Sequence, residues 1–117
     1  PSGHLMAALR STLSPDVLPS DEVQHLAYGA RVVVAGLVVR RQRPLGKAVF
    51  ITLEDEFGHA PIVVWPKTYQ KYRFELGEAV LKVHGKVSRR EGTMNIVLTH
   101  AEPISVHSPL PEAKNWG

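Results

Sequence analysis

The chemistry that this sequence suggests comes from two clusters of basic residues and one outward-facing phenylalanine. The basic residues are Arg40, Arg41, Arg43, Lys47, Arg89 and Arg90. Phe50 and Thr52 alternate with Val49, Ile51 and Leu53, so in a strand with these three aliphatic residues in the core they face the opposite side. Basic side chains bind phosphates and an aromatic ring stacks on a nucleobase. The pattern therefore predicts a nucleic-acid-binding surface.

The net charge of +3 conceals a stronger positive charge in the middle of the chain. Residues 31–90 contain 12 Lys or Arg residues and five Asp or Glu residues, whereas residues 1–30 and 91–117 are each slightly acidic. Such a distribution favours a polyanionic partner. The alternative is a solvated basic surface that serves only solubility.

The composition also excludes several classes of protein. There is no cysteine, which rules out disulfides and thiolate metal sites and suggests the reducing cytoplasm. No apolar run resembles a membrane helix or a signal peptide, so no membrane partner is expected. Because the first residue is Pro1, we expect a fragment of a longer protein.

The elements that must position these residues are mostly strands. Short helices are predicted at 5–13 and 18–26, the second with Ser20 or Asp21 as N-cap. Valine-rich segments punctuated by Gly and Pro predict five strands, at 30–41, 48–55, 60–65, 79–88 and 94–101. Residues 56–59 are predicted to form a tight hairpin between the second and third strands.

One more helix is predicted between the third and fourth strands. Pro66 suits a first helical position, and Tyr69, Tyr72 and Leu76 share one helical face. Three strands, a helix and two strands predict a mostly β protein, a five-stranded Greek-key OB-fold barrel whose long first strand bends at Gly36. We expect a helical extension at 1–27, the barrel at 28–106 and a tail at 107–117.

A short sequence pattern occurs twice, once before each of the two basic clusters. Residues 34–41 and 83–90 both read V-x-G-x-V-x-R-R, so an arginine pair leads into each of the two loops that flank the ligand cleft of an OB-fold. The predicted interface comprises Arg40, Arg41, Arg43, Lys47, Phe50, Thr52, Val63, Arg89 and Arg90. Trp65 could instead pack under the helix, and Phe50 could lie buried beneath the N-terminal helices.

For the other charged residues, the sequence gives less indication of a function. Lys82, His84 and Lys86 could extend the basic surface, although a solvated face is the preferred interpretation. The acidic run 54–56 reads as an ordinary turn rather than a cation site, and the six histidines show no metal-ligand spacing. The sequence contains no P-loop, dinucleotide fingerprint or nucleophile elbow. We therefore expect no metal, no cofactor and no catalytic site.

The segment GARVVVAGLVVRRQRPLGKAVFITLEDEFGHAPIVVWPKTY resembles the OB-fold near the C-terminus of bacterial DNA polymerase III α subunits, most closely the error-prone ones. The resemblance implies an accessory module that binds single-stranded template DNA within a polymerase chain. The implied partners are this DNA, the rest of the polymerase and other replication or repair proteins.

Two alternatives remain open. The segment VFITLEDEFG is also similar to anticodon-binding OB-folds of class II aminoacyl-tRNA synthetases, in which the residue matching Phe50 stacks on a base. This second resemblance implies an RNA-binding domain. An OB-fold can also dock other proteins on the same face, and steep salt dependence would distinguish a polyanion binder from an apolar docking surface.

Overall fold

Five strands close into a barrel in the computed structural model. The structure describes residues 2–44, 47–90 and 92–106. The strands are β1 (Arg31–Gln42), β2 (Val49–Asp55), β3 (Gly58–Val64), β4 (Val80–Arg90) and β5 (Thr93–Pro103). Their order around the barrel is β1-β2-β3-β5-β4, and β3 and β5 run parallel where the barrel closes. The predicted OB-fold class and the existence of all five strands are confirmed.

The first strand belongs to both halves of the barrel. Residues 31–37 of β1 pair with β4, and residues 37–42 pair with β2. Gly36 lies at the change of partner, where an added Cβ would lie 2.7 Å from the carbonyl oxygen of Glu54. A register shift between Val38 and Arg40 bends the strand further. The predicted bend at Gly36 therefore coincides with a position where only glycine fits the backbone spacing.

The core fills the barrel with aliphatic side chains from every strand. Its fully buried members include Val34, Ile51, Leu53, Ile62, Val64, Leu81, Val83, Ile96 and Leu98. Along β2, burial alternates as the sequence predicts, with Val49, Ile51 and Leu53 inside the barrel. This alternation fixes the outward direction of Phe50 and Thr52, because a slip of one residue would expose the whole aliphatic set.

The N-terminal extension packs on the outer side of β1. Helix α1 (Ser2–Arg10) begins and ends three residues earlier than predicted, and it buries Met6 in a second cluster with Ala35 and Val80. The cluster is separate from the barrel core, since Ala35 points outward from β1. The extension therefore covers a face of the barrel wall that alternation alone would have assigned to solvent.

The second helix is shorter than predicted. Helix α2 (Ser20–Val23) is a single turn whose N-cap is Pro19, so the prediction of a helix at 18–26 capped by Ser20 or Asp21 was wrong. The reason is a competing partner: the backbone N–H and the hydroxyl of Ser20 both donate to the carboxylate of Asp55, at 2.8 and 2.6 Å. Ser20 is thus the first residue of the helix rather than its cap, and its hydroxyl is directed to the β2–β3 hairpin.

The segment between β3 and β4 has the predicted helix, but this helix ends before Tyr72 and Leu76, so these two residues and Tyr69 do not share one helical face. Helix α3 (Pro66–Lys71) starts with Pro66 in its first turn, and a short 3-10 helix follows at Glu75–Gly77. Tyr72 and Leu76 are buried in the core, and Tyr69 packs against it. In the described part of the chain, no helix has the length and apolar character needed to cross a membrane.

Candidate nucleic-acid interface

A groove of about 360 Å³ lies on the outer face of the barrel across the β3–β5 junction. Its lining residues are Phe50, Val63, Trp65, Ser88, Asn95 and Val97. Phe50 lies opposite Val63 in the β2–β3 ladder, and Ser88 lies opposite Asn95 in the β4–β5 ladder. The groove thus has aromatic and aliphatic side chains on the side of β2 and β3, while Ser88 and Asn95 add polar groups on the side of β4 and β5.

Two aromatic side chains in this groove remain accessible to solvent. Phe50 is 41% exposed and Trp65 is 50% exposed, while Val63 between them on the same surface is nearly buried. The alternative that Phe50 lies buried beneath the N-terminal helices is wrong, because the ring is exposed and Met6 of α1 packs against Ala35 and Val80 instead. Exposed aromatic rings on a groove floor can stack on nucleobases.

Thr52 and Arg40 extend the same face toward β1. Arg40 is directly opposite Thr52, which is in turn opposite Pro61, so the three side chains lie on one side of the sheet. Arg40 is exposed and has no hydrogen bond or ion pair with another described residue. Its guanidinium is available to an anion at the edge of the groove.

Two of the predicted phosphate-binding arginines instead hold the protein's own backbone. Arg41 donates from Nε to the carbonyl of Leu76 at 3.2 Å and from Nη2 to that of Glu78 at 2.8 Å. Arg89 donates from Nη2 to the carbonyls of Gln24 and Leu26. Each guanidinium group therefore joins its strand to a chain segment that lies far away in the sequence.

The remaining predicted cations lie in or beside the loops. Arg43 stacks on Tyr69, with its guanidinium carbon 4.6 Å from the ring centroid, and among the described residues its N–H groups have no hydrogen-bond acceptor. Lys47 is exposed in the loop before β2. Arg90 ends β4, and its side chain lies outside the described residues.

Sequence reasoning missed three lining residues, Ser88, Asn95 and Val97. Ser88 has the outward parity of the β4 residues Lys82, His84 and Lys86, which was a usable signal. Asn95 and Val97 could be assigned to this groove only through the parallel pairing of β3 with β5, which the sequence does not reveal. Asn95 supplies an amide that can both donate to and accept from a base edge.

The acidic run at the β2–β3 hairpin is a structural turn, as predicted. The buried carboxylate of Asp55 accepts hydrogen bonds from the backbone N–H groups of Phe57 and Gly58, at 2.9 and 3.0 Å, in addition to those from Ser20. Arg10 donates to Glu56 and, more weakly, to Asp55. The hydrogen bond from Arg10 is the main cause that lowers the pKa of the Glu56 carboxyl. These contacts anchor α1 to the hairpin.

A second, larger cavity of about 470 Å³ opens on the side of the barrel formed by β1, β4 and β5. Arg31, His84, Lys86 and His100 are among its lining residues, and no phenylalanine, tyrosine or tryptophan lines it. The smaller groove is the candidate nucleic-acid interface because two exposed rings, Phe50 and Trp65, line it together.

A closed five-stranded barrel with a helix between the third and fourth strands and an aromatic groove defines the OB-fold class. Residues 32–104 match the family model of the OB-fold nucleic acid binding domain, and the chain belongs to this family. It is a nucleic-acid-binding domain rather than a catalytic one.

Its curated relatives are error-prone DNA polymerases, which confirms the resemblance stated from the sequence. Error-prone DNA polymerase 1 of Rhizobium meliloti (strain 1021) is 44% identical over 86% of this chain and 10% of the polymerase. The error-prone DNA polymerase of Sinorhizobium medicae (strain WSM419) is 39% identical over 97% of this chain and 11% of the polymerase. The chain therefore spans about a tenth of the length of these relatives.

Solved structures share the fold. Asparaginyl-tRNA synthetase from Pyrococcus horikoshii, complexed with asparaginyl-adenylate, is 26% identical with a TM-score of 0.64. The alignment covers 89% of this chain and 26% of the synthetase.

Proposed function

We propose that this domain binds single-stranded DNA, as an accessory template-binding module of a bacterial error-prone DNA polymerase III α subunit. The observation that carries the proposal is the pair of exposed rings, Phe50 and Trp65, on one groove floor. Two rings on one surface can each stack on a base of a flexible single strand. A duplex keeps its bases stacked on one another and offers no such faces.

The charges around the groove support the same proposal. Arg40 lies on the face that continues from Phe50 and Thr52, and Arg43 and Lys47 lie in the loop that leads into β2. Cations at the groove edge and rings on its floor match the alternating phosphates and bases of one strand. Because the rings accept any base, we expect affinity with little sequence preference.

The polymerase context is a proposal that rests on the relatives. Their printed names are error-prone DNA polymerases, and this chain aligns with about a tenth of each. We propose that the catalytic residues lie elsewhere in such a protein, and that the partners of this domain are template DNA, the remaining polymerase chain and other replication or repair proteins. We further propose the bacterial cytoplasm as its location, because the chromosome lies there.

A titration of fluorescent oligo-dT into the purified chain at several salt concentrations tests the proposal. With about three phosphate contacts, the logarithm of the association constant should fall against the logarithm of salt concentration with a slope near −2, from about 0.7 per contact. Oligo-U serves as the RNA competitor and blunt duplex DNA as the negative control. We expect oligo-dT to bind at least as tightly as oligo-U and more tightly than the duplex.

Other outcomes would point to the other functions considered. Preference for oligo-U would favour RNA binding, which the similarity to an asparaginyl-tRNA synthetase makes the second candidate. Absence of binding at low salt would overturn nucleic-acid binding at this groove and favour protein docking. A primer-extension assay should detect no nucleotide incorporation by this chain alone.

A further inference from the structure

Two histidines and a glutamate converge on the outer face of β4 and β5, on the side of the barrel that carries the larger cavity. His84 is directly opposite His100 in the β4–β5 ladder, and Glu102 follows two residues later on the same face of β5. Glu102 Oε1 lies 3.3 Å from His84 Nε2 and 3.6 Å from His100 Nε2. One ligand atom from each of the three residues lies within 4.8 Å of the others.

These separations match the edges of a coordination tetrahedron. Zinc bonds of about 2.0 to 2.1 Å to nitrogen and oxygen place neighbouring ligands about 3.3 Å apart. Two of the three separations already fall near this value, and rotation of exposed side chains can shorten the third. Imidazole with one carboxylate suits Zn²⁺ and similar transition metals, whereas Mg²⁺ and Ca²⁺ prefer oxygen ligands alone.

A buried tyrosine orients one of the two imidazoles. The hydroxyl of Tyr72 lies 2.9 Å from Nδ1 of His100, and the two rings meet edge to face with centroids 5.2 Å apart. Tyr72 is itself buried in the barrel core, so its hydroxyl is a fixed point. In the tautomer in which Nδ1–H of His100 donates to the Tyr72 hydroxyl, the Nε2 lone pair on the side of Glu102 is left for a metal ion. Metal-binding histidines generally have such a partner on the second ring nitrogen.

We propose that His84, His100 and Glu102 form a zinc-binding site, with Tyr72 as a positioning residue. Three protein ligands leave a fourth position for water, as in zinc sites that stay open to solvent. The site lies outside the groove formed by Phe50 and Trp65, so it does not depend on the proposed DNA binding.

Two lysines on the same face of β4 oppose a bound cation and should weaken the site. Lys82 and Lys86 flank His84, although the ammonium of Lys82 is directed to the hydroxyl of Ser14 at 3.0 Å. Water should also compete for the metal, because His100 and Glu102 are exposed and His84 is only half-buried. We therefore expect Zn²⁺ affinity well below that of a buried structural zinc site.

The experiment is a Zn²⁺ titration of the metal-free chain, followed by isothermal calorimetry and by competition with a chromophoric chelator. One Zn²⁺ per chain should bind, and Co²⁺ should produce the visible absorption bands of a four-coordinate site. Mg²⁺ at the same concentration should neither bind nor compete. Absence of Zn²⁺ binding to the wild-type chain would overturn the proposal and leave the cluster as surface ion pairs.

Single variants assign the site. His84→Gln, His100→Gln and Glu102→Gln should each lower Zn²⁺ affinity at least tenfold, and thermal unfolding without metal checks that each variant remains folded. Tyr72→Phe removes only the hydroxyl and should lower affinity about 10-fold to 100-fold. It should also change the Co²⁺ spectrum, which a merely structural contribution of Tyr72 would leave unaltered.

The chain provides a matched control in a second histidine–carboxylate pair. His59 Nε2 lies 2.7 Å from Glu54 Oε2 on the β2–β3 hairpin, but among the described residues this pair lacks a third ligand. His59→Gln should leave Zn²⁺ affinity and stoichiometry unchanged. A loss equal to that of His84→Gln would contradict the assignment of the metal to β4 and β5.

Discussion

Arg40 and Arg41 are neighbours in β1 and point to opposite sides of the barrel wall. Arg40 pairs across the ladder with the outward residue Thr52, whereas Arg41 pairs with the core residue Ile51. The guanidinium of Arg41 reaches past the end of the barrel to the carbonyls of Leu76 and Glu78. One arginine is therefore available to a ligand, and its neighbour stabilises the fold.

The two arginines should respond differently to truncation. Arg41→Ala leaves two backbone carbonyls without their charged donor and should lower the free energy of unfolding by about 1 to 3 kcal/mol. Arg40→Ala should leave thermal stability nearly unchanged and weaken oligo-dT binding, with the salt slope reduced in magnitude by about 0.7. Denaturant unfolding and a fluorescence titration on the same preparations measure both effects. Equal destabilisation by the two substitutions would contradict the division of roles.

Phe50→Ala should affect binding rather than folding. Loss of a stacking ring should weaken oligo-dT binding by about 1 to 3 kcal/mol. Because the ring is already exposed in the free protein, the melting temperature should change little. Phe74, which is 82% exposed and outside the groove, provides the control, and Phe74→Ala should leave affinity unaltered. Unchanged affinity for Phe50→Ala would remove the ring from the proposed interface.

Much of the fold could be predicted because its signals are local. Alternating aliphatic residues determined the strands and the outward direction of Phe50, and Pro66 marked the start of α3. The role of Ser20 at the start of α2 could not be predicted, because its side chain binds a carboxylate 35 positions away in the sequence.

The site was less predictable than the fold. The sequence shows that Arg41 and Arg89 are cationic. Whether their guanidinium groups bind phosphates or backbone carbonyls depends on where distant loops lie. The convergence of His84 with His100 depends on the β4–β5 register, which shifts by a bulge next to His84. The spacing of the histidines along the chain therefore does not indicate that His84 and His100 lie together.

Gly36→Ala should destabilise the barrel without directly altering the groove. The new methyl group would lie 2.7 Å from the Glu54 carbonyl oxygen, so β1 and β2 would have to move apart. We expect a loss of about 1 to 3 kcal/mol in the free energy of unfolding, as for other overpacked sites. Gly77→Ala is the control, since an added Cβ there meets no atom within 4 Å. Denaturant unfolding should show a lower free energy of unfolding for Gly36→Ala than for Gly77→Ala.

The ion pair between Arg10 and Glu56 should make stability depend on pH in the acid range. Arg10 holds the pKa of Glu56 below its usual value of 4.5, so the folded state favours the charged carboxylate. The stabilisation should be fully present above about pH 5 and should be lost as pH falls through the lowered pKa. Glu56→Gln should therefore destabilise the protein at neutral pH by about 1 to 3 kcal/mol and much less in acid.

A double-mutant cycle separates this pair from other acidic groups. In an Arg10→Met background, Glu56→Gln should have little effect at any pH, because the guanidinium that favours the charged carboxylate is gone. Urea unfolding at pH 7 and at about pH 3 measures the four proteins. A pH-independent effect of Glu56→Gln in the wild-type background would disprove the electrostatic origin.

The groove lies over the shortest strand pairing of the barrel, where we expect the backbone to open locally most easily. β3 and β5 are joined through two residue pairs, Ile62 with Ile96 and Val63 with Val97, whereas the β4–β5 ladder contains ten. Regions with few backbone hydrogen bonds open at lower free energy and exchange their amide hydrogens sooner. A nucleic-acid strand that contacts Phe50 on one side and Asn95 on the other would span this junction and hold β3 and β5 together. Occupancy of the groove should therefore slow amide exchange most at the β3–β5 junction.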